Sequence, residues 1–116
     1  MNVDMGYVMR IREAAVALVE HVGDHTQASF DADRKTRSAV LYEIVVIGEG
    51  AKRLSPEFRT HHPGVPWKQI AGMRDRVVHS FDEVDLQLVW DVAQVHAPRL
   101  VLDLLQIEAQ DQETAP

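Results

Sequence analysis

The chain contains no cysteine in its 116 residues, which excludes disulfides, zinc-thiolate sites and thiol nucleophiles. It also has no run of about 18 apolar residues, the length that a membrane-spanning helix requires. The N-terminus lacks the basic start and apolar stretch of a signal peptide. These absences predict a soluble, cytoplasmic protein that has no membrane partner.

Internal repeats, low-complexity segments and heptads are absent as well. The length allows only one domain, and a hydrophobic fraction of 46% is enough for a modest core. We therefore expect a single domain over residues 1–108. The polar segment 109–116 is expected to be a frayed tail.

Apolar residues recur three and four positions apart through most of the chain, which is typical of amphipathic helices. One pattern covers 3–22, and another runs from 34 to the turn signal at 55–56. Its β-branched centre, 40–47, also fits a buried strand, but the length of the whole pattern favours a helix. The segment 24–33 is predicted to be a polar connection anchored in the core by Phe30, and 56–66 a short irregular connection.

Two further helical patterns follow. Pro66 and Trp67 begin one of them, since proline is well tolerated in a first helical turn. Asp85 is a suitable cap for the last pattern, and Pro98 predicts a kink or a break within it. The sequence therefore indicates an all-α fold.

Histidines occur in two close pairs, His21 with His25 and His61 with His62. Neither pair has a third ligand nearby, and Gly23 interrupts the first pair. Surface histidines explain both pairs better than a metal site does. We expect no metal and no cofactor.

An arginine interrupts the apolar face of the third pattern. At about 100° per residue, Arg74 falls among apolar side chains, whereas Arg76 points outward. A guanidinium in such a place needs a carboxylate, a phosphate or access to water. Glu49 is a candidate partner, although the sequence equally allows it to be an exposed charge.

Arg74 and His79 are suitable groups for cleaving a phosphodiester. Five positions separate them, which turns their directions apart by about 140° on a straight helix. A helix end near Ser80, or a second copy of the chain, would be needed to bring both groups to one phosphate. Asp75, four residues before His79, lies where it can orient the imidazole.

Basic residues are concentrated near this motif although the net charge is -6. Residues 50–80 carry six lysines and arginines and two carboxylates, whereas residues 81–116 carry eight carboxylates and one arginine. The segment suits one nucleic-acid strand. Taken alone, the charges are explained better by ordinary solvated helix faces.

Four segments together are similar to a known family: IGEGAKRLS at 47–55, PWKQIAGMRD at 66–75, VVH at 77–79, and the stretch 84–90. Their order and spacing resemble the HepT-like family of HEPN domains over nearly the whole chain. The resemblance implies a homodimeric HEPN-type bundle of four to five helices. It also implies a metal-independent endoribonuclease whose two Arg-x4-His motifs meet at the subunit interface.

Such proteins are typically toxins of type II/VII-like toxin-antitoxin pairs, and their partner is a minimal nucleotidyltransferase called MntA. By resemblance, Arg74 stabilises the transition state, His79 transfers protons at the ribose 2'-OH or the 5'-oxygen, and Asp75 orients the site. RNA is the implied substrate. Supporting or RNA-contacting roles are assigned to Glu49, Lys52, Arg53, Arg76, Ser80 and Phe81.

One position departs from the family pattern. Members paired with the nucleotidyltransferase often read Arg-x4-His-x-Tyr, and that tyrosine accepts AMP from the antitoxin. Phe81 stands at this position and has no hydroxyl to modify. The antitoxin would then act by occlusion or at another hydroxyl such as that of Ser80. The alternative function is a non-catalytic helical partner that binds a minimal nucleotidyltransferase or a nucleotide.

Overall fold

The computed structural model describes residues 3–114 and is helical throughout, without a strand in that range. The all-α prediction is confirmed. A 3-10 turn, Phe81–Glu83, follows the fifth helix, and a π-helical segment, Val92–His96, joins the last two. The helices are α1 (Val3–Val22), α2 (Gln27–Ala32), α3 (Arg34–Arg53), α4 (Pro56–His61), α5 (Trp67–His79), α6 (Leu86–Asp91) and α7 (Ala97–Thr114).

The ends of α1 and α3 follow from local sequence. Gly23 adopts a φ of +47° and its N–H bonds to the carbonyl of Val19 at 3.0 Å, which closes α1. The carboxylate of Asp33 accepts the backbone N–H of Thr36 at 3.2 Å and so caps α3. The hydroxyl and backbone bonds from Thr36 lower the pKa of Asp33.

Both predicted connections contain a short helix, so the prediction of irregular structure over 56–66 was wrong. Thr26 and Ser29 form a reciprocal capping box that starts α2. Ser55 accepts the N–H of Phe58 at 3.1 Å and starts α4, with proline in the first turn. Sequence periodicity could not show helices of six residues, but these capping residues were a usable signal.

The predicted disturbance near Pro98 takes the form of a π-helical segment. Proline has no N–H to donate to the carbonyl four residues earlier, and its ring crowds that carbonyl. The helix widens instead, and Ala97 N–H bonds to the carbonyl of Val92, five residues back. Helix α7 then continues into the polar segment 109–116 as far as Thr114, and residues 115 and 116 lie outside the described range.

Helix α3 is the centre of the bundle. Helices α1 and α5 pack against it, and α7 packs on α1, where Arg12 and Glu108 form an ion pair at 2.5 Å. Phe30 of α2 is fully buried and meets the ring of Trp90 at 5.5 Å between centroids. No helix within residues 3–114 is long and apolar enough to cross a membrane. The largest fully buried side chains are Phe30, Ile11, Leu18, Leu54, Leu104, Val8, Val22, Val40, Val77 and Val89.

Two glycines allow the neighbours of α3 to approach its backbone. A Cβ on Gly48 would lie 2.1 Å from the Cβ of Arg74 in α5. A Cβ on Gly50 would lie 2.6 Å from a side-chain carbon of Ile11 in α1. The pair therefore allows close packing on two sides of one helix, at positions where glycine disfavours the helix itself.

We predict that Gly48→Ala destabilises the protein by about 1–3 kcal/mol, because the new methyl overlaps a neighbouring Cβ and forces α5 away from α3. The control is Gly72→Ala in α5, where a Cβ meets no atom within 4 Å. That variant should be stabilised by up to about 1 kcal/mol through helix propensity. Urea unfolding measures both free energies, and equal stability of the two variants would contradict the packing argument.

Candidate active site at the end of helix α5

The start of α5 is anchored in the core. Trp67 is 6% exposed, and its indole N–H donates to the carbonyl of His62 at 3.0 Å. Its ring also packs against Phe58 of α4 at 6.1 Å between centroids. Trp67 is thus a core residue and is too buried to stack on a nucleic-acid base.

The stem of Arg74 lies on the backbone of α3 at Gly48. From there its guanidinium reaches the neighbouring carboxylate of Glu49, with Nε and Oε1 2.5 Å apart. The buried Nε–H does not point along this line, so the contact is an ion pair without an aligned hydrogen bond. The question that the sequence left open is answered: Glu49 is the counter-ion of Arg74.

Asp75 joins the same network from the other side. Its Oδ1 accepts Nη1–H of Arg74 at 3.0 Å and Nζ–H of Lys52 at 2.9 Å. The bond from Lys52 and then that from Arg74 lower the pKa of Asp75, while the bond to Asp75 raises the pKa of Arg74. Arg74 therefore remains a cation, and its side chain, 22% exposed, keeps contact with solvent.

His79 is the last residue of α5 and is exposed. Among the side chains that the structure describes within residues 3–114, its imidazole has no hydrogen-bond or ion-pair partner. Asp75 faces Lys52 and Arg74 instead, so the structure does not place it on His79. The imidazole is accordingly free to approach a ligand, and nothing in this range fixes its tautomer.

The other predicted residues are spread around this network. Ser80 ends α5, and its N–H bonds to the carbonyl of Arg76 at 2.9 Å. Phe81 is 57% exposed beside it. Arg53 is exposed at the end of α3, and Arg76 faces a second, largely apolar groove between α5 and α7. Among the predicted residues, ion pairs link Glu49, Lys52, Arg74 and Asp75 into one network.

The paired histidines have ordinary partners. His21 meets Glu43 at 2.8 Å, and His25 bonds to Ser29 at 2.8 Å. His61 bonds to a backbone carbonyl and His62 packs on the ring of Phe58. In the part of the chain that the structure describes, no three histidine or carboxylate side chains gather as metal ligands would.

A shallow groove of about 1040 Å³ borders the network on the side of Asp75. Its cationic lining side chains are Lys52, Arg59 and Lys68, and we call it the basic groove. The last two were not singled out as site residues from the sequence. The excess of basic residues between 50 and 80 was the signal that pointed to them.

Residues 11–107 match the family described as ribonuclease HepT-like. The chain belongs to the HepT-like ribonuclease family. The match includes α3, α5 and every residue of the ion network, and the family supports a ribonuclease function. No solved structure matches the chain.

Curated relatives carry compatible names. A Thermococcus cleftensis protein named "Probable ribonuclease HepT" is 32% identical over 81% of this chain and 86% of its own length. A Caldanaerobacter subterraneus protein named "Putative RNase TTE0752" is 33% identical over 93% of this chain and 99% of its own length. A Methanocaldococcus jannaschii protein named "Gamma-glutamylcyclotransferase and putative RNase MJ0434" is 35% identical over 87% of this chain, which spans 46% of that relative.

We predict that Glu49→Gln destabilises the fold by more than the loss of an exposed ion pair does, since it leaves Arg74, whose side chain is 22% exposed, without one of its two carboxylates. The matched control is Asp103→Asn, which breaks the exposed pair between Asp103 and Arg99. That change should cost less than about 0.5 kcal/mol. Chemical denaturation compares the two, and an equal loss would show that the Glu49 pair is an ordinary surface contact.

Proposed function

We propose that this protein is a metal-independent endoribonuclease toxin of a type II/VII-like toxin-antitoxin pair. The observation that carries the proposal is the combination of a held cation and a free base. Contacts with Gly48, Glu49 and Asp75 hold Arg74 against α3. His79 is exposed five residues later in α5. Membership of the HepT-like ribonuclease family supports RNA as the substrate.

The proposed reaction needs no group beyond these side chains. His79 accepts the proton of the ribose 2'-OH while the 2'-oxygen attacks phosphorus. The bond from phosphorus to the 5'-oxygen breaks, and the leaving oxygen takes a proton from a second imidazole. Arg74 stabilises the negative charge that builds on the phosphoryl oxygens. The products are a 2',3'-cyclic phosphate and a 5'-hydroxyl, and DNA is not cleaved because it lacks the 2'-OH.

A homodimer would supply the second imidazole. Within one chain, Arg74 points to α3 and His79 lies on another side of α5, about 140° away. Exposed apolar side chains flank His79, with Val78 45% and Phe81 57% exposed. We propose that a second copy covers these two residues and brings its own Arg-x4-His motif opposite the first.

The proposed antitoxin partner is an MntA-like minimal nucleotidyltransferase. Transfer of AMP to position 81 is chemically impossible because Phe81 has no hydroxyl. Ser80, exposed at the end of α5, offers one beside it. Occlusion of His79 by the bound partner would also neutralise the enzyme.

A non-catalytic function remains the second candidate, and one observation favours it. Arg74 already contacts two carboxylates, Glu49 and Asp75, which account for its charge without a phosphate. In that case the chain would be a helical binding partner of a nucleotidyltransferase or a nucleotide. Cleavage measurements separate the two candidates.

We predict that the purified protein cleaves RNA in EDTA and leaves 2',3'-cyclic phosphate ends. His79→Ala should lower the rate by about 10²–10⁴-fold, the usual contribution of a general acid or base. Arg74→Ala should cause a loss of similar size because it removes charge stabilisation. Product masses identify the ends. The control His96→Ala changes an exposed histidine of the π-helical segment and should leave the rate unchanged.

Mixing the two inactive variants tests whether the site is shared between subunits. Unfolding and refolding Arg74→Ala together with His79→Ala forms mixed dimers that contain one intact arginine and one intact histidine. If residues of both subunits serve one site, the mixture should be more active than either variant alone, and less active than the wild type because each mixed dimer has a single imidazole for the two proton transfers. A mixture as inactive as its parts would refute the shared site, and an inactive wild-type protein would favour the binding function.

We predict that Val78→Asp converts the dimer to a monomer, since it places a carboxylate in the proposed apolar contact. The matched control is Leu102→Asp on α7, where the native leucine is 65% exposed. Size-exclusion chromatography with light scattering reports the mass of each variant. A wild-type monomer, or a dimer that survives Val78→Asp, would exclude this interface.

A further inference from the structure

The basic groove lies between the end of α3, the α4–α5 connection and one side of α5. Pro63, Gly64 and Pro66 form its outer wall, while Lys52, Arg59 and Lys68 contribute the charges. It is open to solvent along its length and holds about 1040 Å³. Its shape is that of a shallow track and does not enclose a small molecule.

Two of its cations are not neutralised by the protein. Within residues 3–114 the side chains of Arg59 and Lys68 make no ion pair or hydrogen bond. The only lining carboxylate, that of Asp75, is already bonded to Lys52 and Arg74. The groove is therefore a positive surface on a chain whose net charge is -6.

The groove leads to the candidate active site. Lys68, Gly72, Asp75 and His79 follow one another at spacings of three and four, which places them along one side of α5. Lys68 and His79 are about 16 Å apart along the helix axis at 1.5 Å per residue. An extended ligand that lies in the groove can thus reach the imidazole.

Gly72 marks the open part of this path. A Cβ there would meet nothing within 4 Å, so packing does not require glycine at this position, unlike at Gly48. Glycine within a helix costs about 1 kcal/mol relative to alanine. The gap that it leaves lets the backbone of a ligand approach α5 closely.

We propose that the basic groove binds the phosphate backbone of single-stranded RNA on one side of the scissile bond and guides it to His79. This inference rests on the proposed ribonuclease function and adds the substrate's path to it. Arg59 and Lys68 each contact one phosphate. Trp67 is buried and presents no platform for a base, so the contacts are to the backbone and tolerate many sequences.

The test measures the binding of unstructured oligoadenylate to the intact chain carrying His79→Ala, which prevents cleavage. Arg59→Gln with Lys68→Gln is added to this background. Losing two phosphate contacts should reduce the steepness of log K against log salt concentration by about 1.4. Between 1 M and 0.1 M salt, the affinity of the groove variant should therefore rise roughly 25-fold less than that of the parent. The control is Arg34→Gln with Lys35→Gln. Both side chains are exposed cations without partners in the described range, and Arg34 lies about 27 Å from Lys52 of the groove along α3.

Weaker binding and a smaller slope in the groove variant alone would support the groove. Equal effects in both pairs, or no binding by the His79→Ala protein, would overturn it.

The same two pairs are also tested for cleavage with His79 intact. If the protein binds through the groove but does not cleave, the ribonuclease proposal fails and the groove stands. If it cleaves and the groove variant keeps the KM of the wild type, only the groove is refuted.

Discussion

The crossing of α5 over α3 at Gly48 positions every group of the candidate site. The absence of a side chain at Gly48 lets the stem of Arg74 rest on the backbone of α3. That contact carries the guanidinium to Glu49, the next residue of α3, and puts Asp75 within reach of Lys52. The network therefore follows from one close approach between two helices.

Charge pairing in this network has two consequences for Arg74. The two carboxylates compensate the partial burial of Arg74, and they hold its guanidinium in one place. Because the arginine is preorganised before a ligand arrives, little conformational entropy would be lost when a phosphate binds. His79 differs, since it is exposed and unrestrained at the end of its helix.

The long helices were predictable because each carries its own apolar period and capping residues over many turns. The short helices α2 and α4 were not found, since six residues are too few for a period. The crossing angle between α3 and α5 is a property of packing, so the sequence left the partner of Arg74 open. For the same reason the sequence suggested Asp75 as a neighbour of His79, whereas packing brings Lys52 to it.

Close packing at Gly48 has a consequence for how this chain can change over generations. Any larger residue at position 48 displaces α5, and with it the arginine at position 74. The charge at position 74 does not set this requirement, because the overlap is with the Cβ that every residue except glycine carries. The two positions, 26 residues apart in sequence, are thus coupled by the distance between two helices, so a change at position 48 moves whatever side chain stands at position 74.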